Sequence, residues 1–221
     1  MKINDFFQKG YYINLDRRTD RNELFIQEMQ RAGLSGFFER FSACDGIVEP
    51  DLMKRHAYCG LSYYKLFKKI KAQGLEHVLI FEDDAYFYDG HDTPGLTLVE
   101  NALNELQNFP DWDMIYFGGM PIESMDVVSK TLCRANTILS THAVGYKINV
   151  IEKVLRDYVP FADSAIDGWY GQDHSLIKYL VNPVAVPQRS ISSDLDSKNF
   201  IVEPKHYIDC YNRVTKRYVN Q

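Results

Sequence analysis

Apolar and polar positions follow two different periods along this chain, and the switches between them predict its elements. "YYINL" (Tyr11 to Leu15) reads as a short strand. The helix predicted after it, in "DRRTDRNELFIQEMQRAG", carries Phe25, Met29 and Ala32 on one face. Asp20 and Glu23 have capping-box spacing at its start, and Gly33 stands where a helix ends. "FFERFSACDG" reads as a second strand closing in an Asp-Gly turn. "GLSYYKLFKKIKAQG" follows as a helix, with Leu61, Tyr64, Phe67 and Ile70 at near-helical spacing, lysines in its last turns and Gly74 as its stop. "HVLIF" is apolar throughout, as a buried parallel strand is.

The second half continues the alternation. Thr93-Pro94 opens a helix presenting Val99, Ala102, Leu103 and Leu106, and "DMIYFGG" is a further strand. "TLCRANTIL" and "HAVGYKI" read as short strands, and "INVIEKVLRDYV" as a helix carrying Ile151, Val154, Leu155 and Tyr158. "DHSLIKYLV" reads as another helix capped by Asp173. The prolines of "NPVAVPQRSISSDLDS" assign it to loop and edge, and "KRYVNQ" is a docked helix or a basic tail. Strand, helix, strand in this order predicts an open α/β sheet, whose ligands bind beyond the carboxyl ends of the strands.

Composition narrows the function classes. The 221 residues suffice for a sizeable core, and one domain over 1–221 is expected. With 25 Lys plus Arg against 30 Asp plus Glu, no global positive field recommends nucleic acid as a partner. Cys44, Cys59, Cys133 and Cys210 lack zinc-site spacing and read as reduced thiols. The chain shows no h-region, no apolar run of membrane-spanning length and no N-x-[ST] sequon, so a cytoplasmic location in a bacterial or viral setting is the expectation. The aromatic share of 14% exceeds what a core alone usually needs, and sugar-binding surfaces use aromatic faces.

Candidate chemistry centres on "FEDDA". Glu82, Asp83 and Asp84 end an apolar strand, where fixed like charges repel unless a cation or a donor offsets them. In an extended chain Glu82 and Asp84 face one way and Asp83 the other, and two oxygen ligands on one face suit manganese or magnesium. The alternative is a solvated strand end with an Asx turn. Arg17, Arg18 and Arg21 follow the first strand at the approach to a helix N-terminus, where an anion is well met; the alternative is a solvated helix start.

"YYINLDRRTDR", "FSACDG", "CGLSYYKLFKKI" and "VLIFEDDA", in this order, resemble glycosyltransferase family 25, which includes lipooligosaccharide and collagen galactosyltransferases. "DWDMIYFGG", "THAVGYKIN", "SAIDGWY" and "VPQRSISSDL" resemble its later blocks, so the likeness covers nearly the whole chain. The resemblance implies a GT-A type (Rossmann-like) fold, an open mixed sheet flanked by helices. It also implies inverting transfer of galactose or glucose from a UDP-hexose donor, with Mn2+ or Mg2+ at Glu82 to Asp84 and Asp84 the foremost ligand. By the same resemblance Asn14, Asp16, Arg17 and Arg21 line the uridine and diphosphate pocket and Asp45 and Gly46 close its nucleoside end; Ser62 and Asp83 complete the donor-binding set. His206 is the candidate late metal ligand, a role a histidine fills in some GT-A enzymes. The family commonly has Ser-His where this chain has Ser62-Tyr63, so any role needing an imidazole there is lost.

Inverting transfer needs a base for the acceptor hydroxyl, and Asp167 and Asp173 are the two candidates. Asp167 matches a family acidic position; for Asp173 a plain N-cap is the alternative. Trp169 and Tyr170 are placed to stack on an acceptor sugar. The acceptor class is a glycan, glycoprotein or hydroxylysine. Two rivals stand beside this reading: a catalytically inactive relative that binds a glycan or a protein, and a phosphoryl-transfer hydrolase, which lacks its D-x-D-x-[TV] signature and a P-loop.

Overall fold

The computed structural model describes residues 1–47, 51–123, 125–163, 165–189, 205–206 and 209–210. A short helix α1 (Ile3–Phe6) leads into β1 (Lys9–Asn14), α2 (Thr19–Arg31) and β2 (Phe38–Ser42). The long helix α3 (Leu52–Ala72), β3 (His77–Glu82), α4 (Gly95–Leu106) and β4 (Met114–Tyr116) follow. Five short strands come next: β5 (Met120–Pro121), β6 (Met125–Val127), β7 (Leu132–Ala135), β8 (Ile138–Leu139) and β9 (Ala143–Lys147). Helices α5 (Ile148–Asp157) and α6 (Ile166–Gln172) precede β10 (Lys178–Val181).

Eight strands form one sheet in the order β2-β1-β3-β9-β4-β10-β7-β6, and β5 pairs with β8 apart from it. β1 runs parallel to β2 and β3, and β4 parallel to β10, while β9 is antiparallel between β3 and β4 and β7 antiparallel between β10 and β6. This is the open α/β sheet that the alternation predicts, with the mixed strand directions that the family resemblance implies. Successive residues of a strand feed opposite faces, which is why the fully apolar β3 is buried on both. Tyr11, Val78 and Ile80 pack with Leu66, Phe67 and Ile70 of α3 and with Val150 and Val154 of α5. Tyr12, Leu79 and Phe81 meet Phe25 and Met29 of α2 and Val99, Ala102 and Leu103 of α4 on the other face.

Four readings of the sequence change. "IKYLV" is strand β10, held between β4 and β7, and the helix lies just before it as α6. Helix α2 starts at Thr19 with Arg18 in the N-cap position; Asp20 is in its first turn and chelates the Arg18 guanidinium at 2.8–2.9 Å in place of a capping box. Helix α3 begins at Leu52, well upstream of Gly60. Gly60 lies inside it against Tyr158, whose hydroxyl would stand 2.1 Å from an added Cβ, so the missing side chain sets the approach of Tyr158 to α3. The fourth change, in the acidic triplet, belongs to the site. Gly33 and Gly74 do end their helices at φ of 69° and 67°. "KRYVNQ" and most of "RSISSDLDS" fall outside the described residues.

Candidate functional site

Parallel register sets the carboxyl ends of three strands level: Asn14 pairs with Ser42, and Ile13 with Glu82. Beyond that edge lies a cleft. Arg17 and Arg21 line it from the segment after β1, Asp45 and Gly46 from the segment after β2, and Glu82, Asp83 and Asp84 from the end of β3. Tyr58, Cys59, Ser62 and Tyr63 of α3 form its wall, and Gln188 closes it from the late loop.

The acidic triplet does not keep the strand's alternation. β3 ends at Glu82 and the chain turns, with the Ala85 amide donating to the Glu82 carbonyl at 3.1 Å, so Glu82 turns to Tyr63 and Thr141 while Asp83 and Asp84 share Arg21. Glu82 Oε1 lies 2.9 Å from the Tyr63 hydroxyl and 3.3 Å from Thr141 Oγ1. Asp83 accepts from Asn14 Nδ2 at 2.7 Å and from Arg21 Nη1 at 3.0 Å. Asp84 accepts from the same Arg21 nitrogen at 3.5 Å and from Gln188 Nε2 at 3.3 Å, and its carbonyl takes the Arg189 amide at 2.7 Å. Burial pushes all three carboxyls up. Glu82, with the Asp84 charge added to its burial, is pushed up to about 8. For Asp83 burial and Asp84 outweigh the opposing Arg21.

Two repelling carboxylates, Glu82 and Asp84, facing one cleft are a donor set that a hard divalent cation would relieve. Asp83 is instead committed to Arg21, both side chains being only 8% exposed. Among the described residues no three His, Cys, Asp or Glu side chains converge as a ready-made metal cluster, so a metal would need oxygens from its ligand or from water as well.

The remaining predicted residues divide. Arg17 Nε donates to Asp45 Oδ2 at 2.8 Å, bridging the segments after β1 and β2 beside Gly46. Ser62 Oγ accepts the Cys44 amide at 2.8 Å and donates to the Tyr58 carbonyl at 2.8 Å, so it pins the segment after β2 to α3. Asn14 is buried behind Asp83, and Arg40 holds its Oδ1 at 2.8 Å. Asp16 is outside the cleft lining: Arg40 and Ser42 bind it at 2.7 and 2.8 Å, and its side chain is 72% exposed. Asp167, at the start of α6, accepts from the Ser140 and Gly168 amides and is likewise outside the cleft lining, but its charge adds to the upward push on Glu82 and Cys59. Asp173 is held by Lys153 at 3.0 Å and by Ser175, away from the cleft lining. His206 is exposed and is not part of the lining. Sequence reasoning did not single out Thr141 or Gln188, though both lie within the blocks "THAVGYKIN" and "VPQRSISSDL", nor Tyr58, just before "CGLSYYKLFKKI"; motif likeness marked those segments without saying which side chain reaches the cleft.

No family model matches the chain. Among curated proteins it is similar to a glycosyltransferase 25 family member of Aedes aegypti, 25% identical over 92% of this chain and 39% of that protein. It is also similar to the human inactive glycosyltransferase 25 family member 3, 30% identical over 51% of this chain and 22% of that one. The chain thus spans less than half the length of these relatives, and they bear out the family resemblance read from its motifs. Among solved structures, UDP-glucose pyrophosphorylase complexed with UDP-glucose aligns over 95% of this chain and 81% of its own, at 10% identity and a TM-score of 0.47. A glycosyltransferase involved in glycosylation of the major capsid of PBCV-1 aligns over 70% and 69%, at 12% identity and a TM-score of 0.35.

Proposed function

We propose that this chain is a family 25 glycosyltransferase domain that moves galactose or glucose from a UDP-hexose to a hydroxyl of a glycan or hydroxylysine acceptor, with inversion. The observation that carries the reading is the cleft itself: arginines after β1, the Asp45-Gly46 turn after β2 and the acidic end of β3 share one wall at the carboxyl edge of the sheet. Arg17 meets the diphosphate, and the Asp45-Gly46 turn closes on the nucleoside. Asp83 and Arg21 act as a buried pair that fixes the turn carrying Asp84. Bound at Glu82 and Asp84, Mn2+ or Mg2+ supplies charge that stabilises the departing diphosphate.

Asp167 takes the proton of the acceptor hydroxyl as that oxygen bonds to the anomeric carbon. The bond from that carbon to the β-phosphate oxygen breaks, and UDP leaves with the electron pair. Asp167 is preferred over Asp173 because its charge reaches Glu82, whereas Lys153 and Ser175 occupy Asp173.

A second reading, a relative that binds donor or glycan without transfer, is favoured by Tyr63 at the family's usual histidine position. Calorimetric titration of UDP with and without Mn2+, repeated on Asp84→Ala, tests the donor site. Binding that needs both Mn2+ and Asp84 supports it; absence of UDP binding under all conditions refutes it. A screen of UDP-sugars for slow hydrolysis then separates the two readings, since the binding protein releases no hexose.

A further inference from the structure

Beside the cleft mouth an aromatic side chain stands half in water on a backbone conformation that costs energy to hold. Phe161 is 50% exposed and has φ of 72°, in the left-handed region that β-carbon-bearing residues avoid. The turn that imposes this is closed on itself. The Ala162 and Asp163 amides donate to the Val159 carbonyl at 3.1 and 3.0 Å, and the Val159 amide donates back to Asp163 Oδ2 at 2.5 Å. Nothing in that turn calls for an aromatic ring, because Gly or Asn would fit its backbone with less strain.

The ring's neighbour supplies the reason. Phe161 meets the Tyr58 ring at 5.0 Å between centroids and 90° between planes, and Tyr58 is part of the cleft wall. Gly46 lies against the same Tyr58, whose Cδ2 would be 2.5 Å from an added Cβ, so the segment that closes the cleft rests on this ring. Ile47, part of the cleft lining, and Val159, in the same turn as Phe161, are each 55% exposed. Two rings at a right angle offer a flat apolar face and an adjoining edge, of a size suited to one sugar ring.

From this corner we infer a subsite that binds the apolar face of a pyranose, stacked on Phe161 against Tyr58. In the reaction proposed above, on which the assignment of this sugar as the acceptor rests, it is the ring whose hydroxyl is glycosylated. The C–H groups of a hexose pack on an aromatic face while its hydroxyls stay solvated, so an exposed ring is what such a site requires. Continuity with the cleft favours a sugar over a protein partner, because the exposed Phe161 ring packs directly on Tyr58 of the cleft wall.

The test uses saturation-transfer NMR with methyl β-D-galactopyranoside and methyl β-D-glucopyranoside, with and without excess UDP, on the wild-type chain and on Phe161→Gly and Phe161→Trp. Phe161→Gly removes the ring and relieves its backbone, so its melting temperature is expected within about 3 °C of wild type. Phe161→Asn, also at ease at positive φ, replaces it if it does not. The expected result is saturation of at least one glycoside by wild type, persistence with UDP present, a drop of about fivefold or more in Phe161→Gly, and retention in Phe161→Trp. No saturation by wild type, undiminished saturation in Phe161→Gly, or displacement by UDP overturns the subsite. If the glycoside pattern holds while UDP fails to bind the wild-type chain in calorimetry, the transferase reading falls and the sugar-binding corner stands.

Discussion

The Tyr63 hydroxyl stands 2.9 Å from Glu82 Oε1 and 2.8 Å from the Thr141 carbonyl oxygen, one proton between two acceptors. With Glu82 ionised, the Tyr63 hydroxyl donates to Glu82 or to the Thr141 carbonyl; a proton on Glu82, donated to Tyr63, frees the hydroxyl for Thr141. Burial and the Asp84 charge push the Glu82 carboxyl up to about 8, against the Tyr63 hydroxyl, which pulls it down. Its folded value lies above the ordinary carboxylate value of 4.5, so the folded chain holds a proton that the unfolded chain releases. This contribution to stability is complete below the unfolded value and is lost as pH rises through the folded one. In chelator, the melting temperature of Glu82→Gln relative to wild type is therefore expected to climb between about pH 5 and about pH 8. Parallel melting curves across that window would sink the protonated-Glu82 account.

Tyr63→Phe removes only the hydroxyl. It leaves the Thr141 carbonyl and the Glu82 carboxyl short of a partner in a buried setting, a cost of about 1–3 kcal/mol. Differential scanning calorimetry should find the melting temperature lowered by roughly 2–10 °C. An unchanged value would mean that the two acceptors find another donor.

Arg21 holds Asp83 and Asp84 with one nitrogen, and its side chain and that of Asp83 are equally buried. Arg21→Met keeps much of the volume but leaves two buried carboxylates without their cation, which costs about 3–5 kcal/mol. Denaturant unfolding should show this loss, and Arg21→Met combined with Asp83→Asn should recover part of it. Additive losses in the double variant would show that the two side chains are not coupled.

These pairings mark where the sequence runs out. The apolar run of β3 and the helical stripe of α4 are legible because burial alone decides them, and the cleft was locatable because Arg17 and Asp45 follow strands and Glu82 ends one. "SLIKYLV" was not legible. Its apolar residues also fit a helical period, and Lys178 looks like a polar face, yet its amine is buried and donates to the Asn136 and Asp173 carbonyls. Alternation failed at the triplet because it presumes extended backbone, and β3 stops at Glu82. Thr141 and Gln188 reach the acidic end from far along the chain, a proximity only the folded sheet creates.

The two aspartates proposed from sequence for the base now carry opposite expectations. Asp167 accepts two backbone amides at 3.2 and 2.8 Å, which orient its carboxylate, and its charge adds to the upward push on Glu82. Asp167→Asn keeps the shape and removes the basicity, so transfer from the UDP-hexose should fall about a hundredfold or more, with UDP affinity little changed. Asp173 closes an Asx-type turn with Ser175 and pairs with Lys153, and its carboxyl is held low because those hydrogen bonds outweigh its burial. Asp173→Asn should therefore leave the transfer rate within about threefold of wild type and lower stability by about 1 kcal/mol. Single-turnover rates and thermal melts on both variants decide the matter. A hundredfold loss in Asp173→Asn with a normal rate in Asp167→Asn would reverse the assignment.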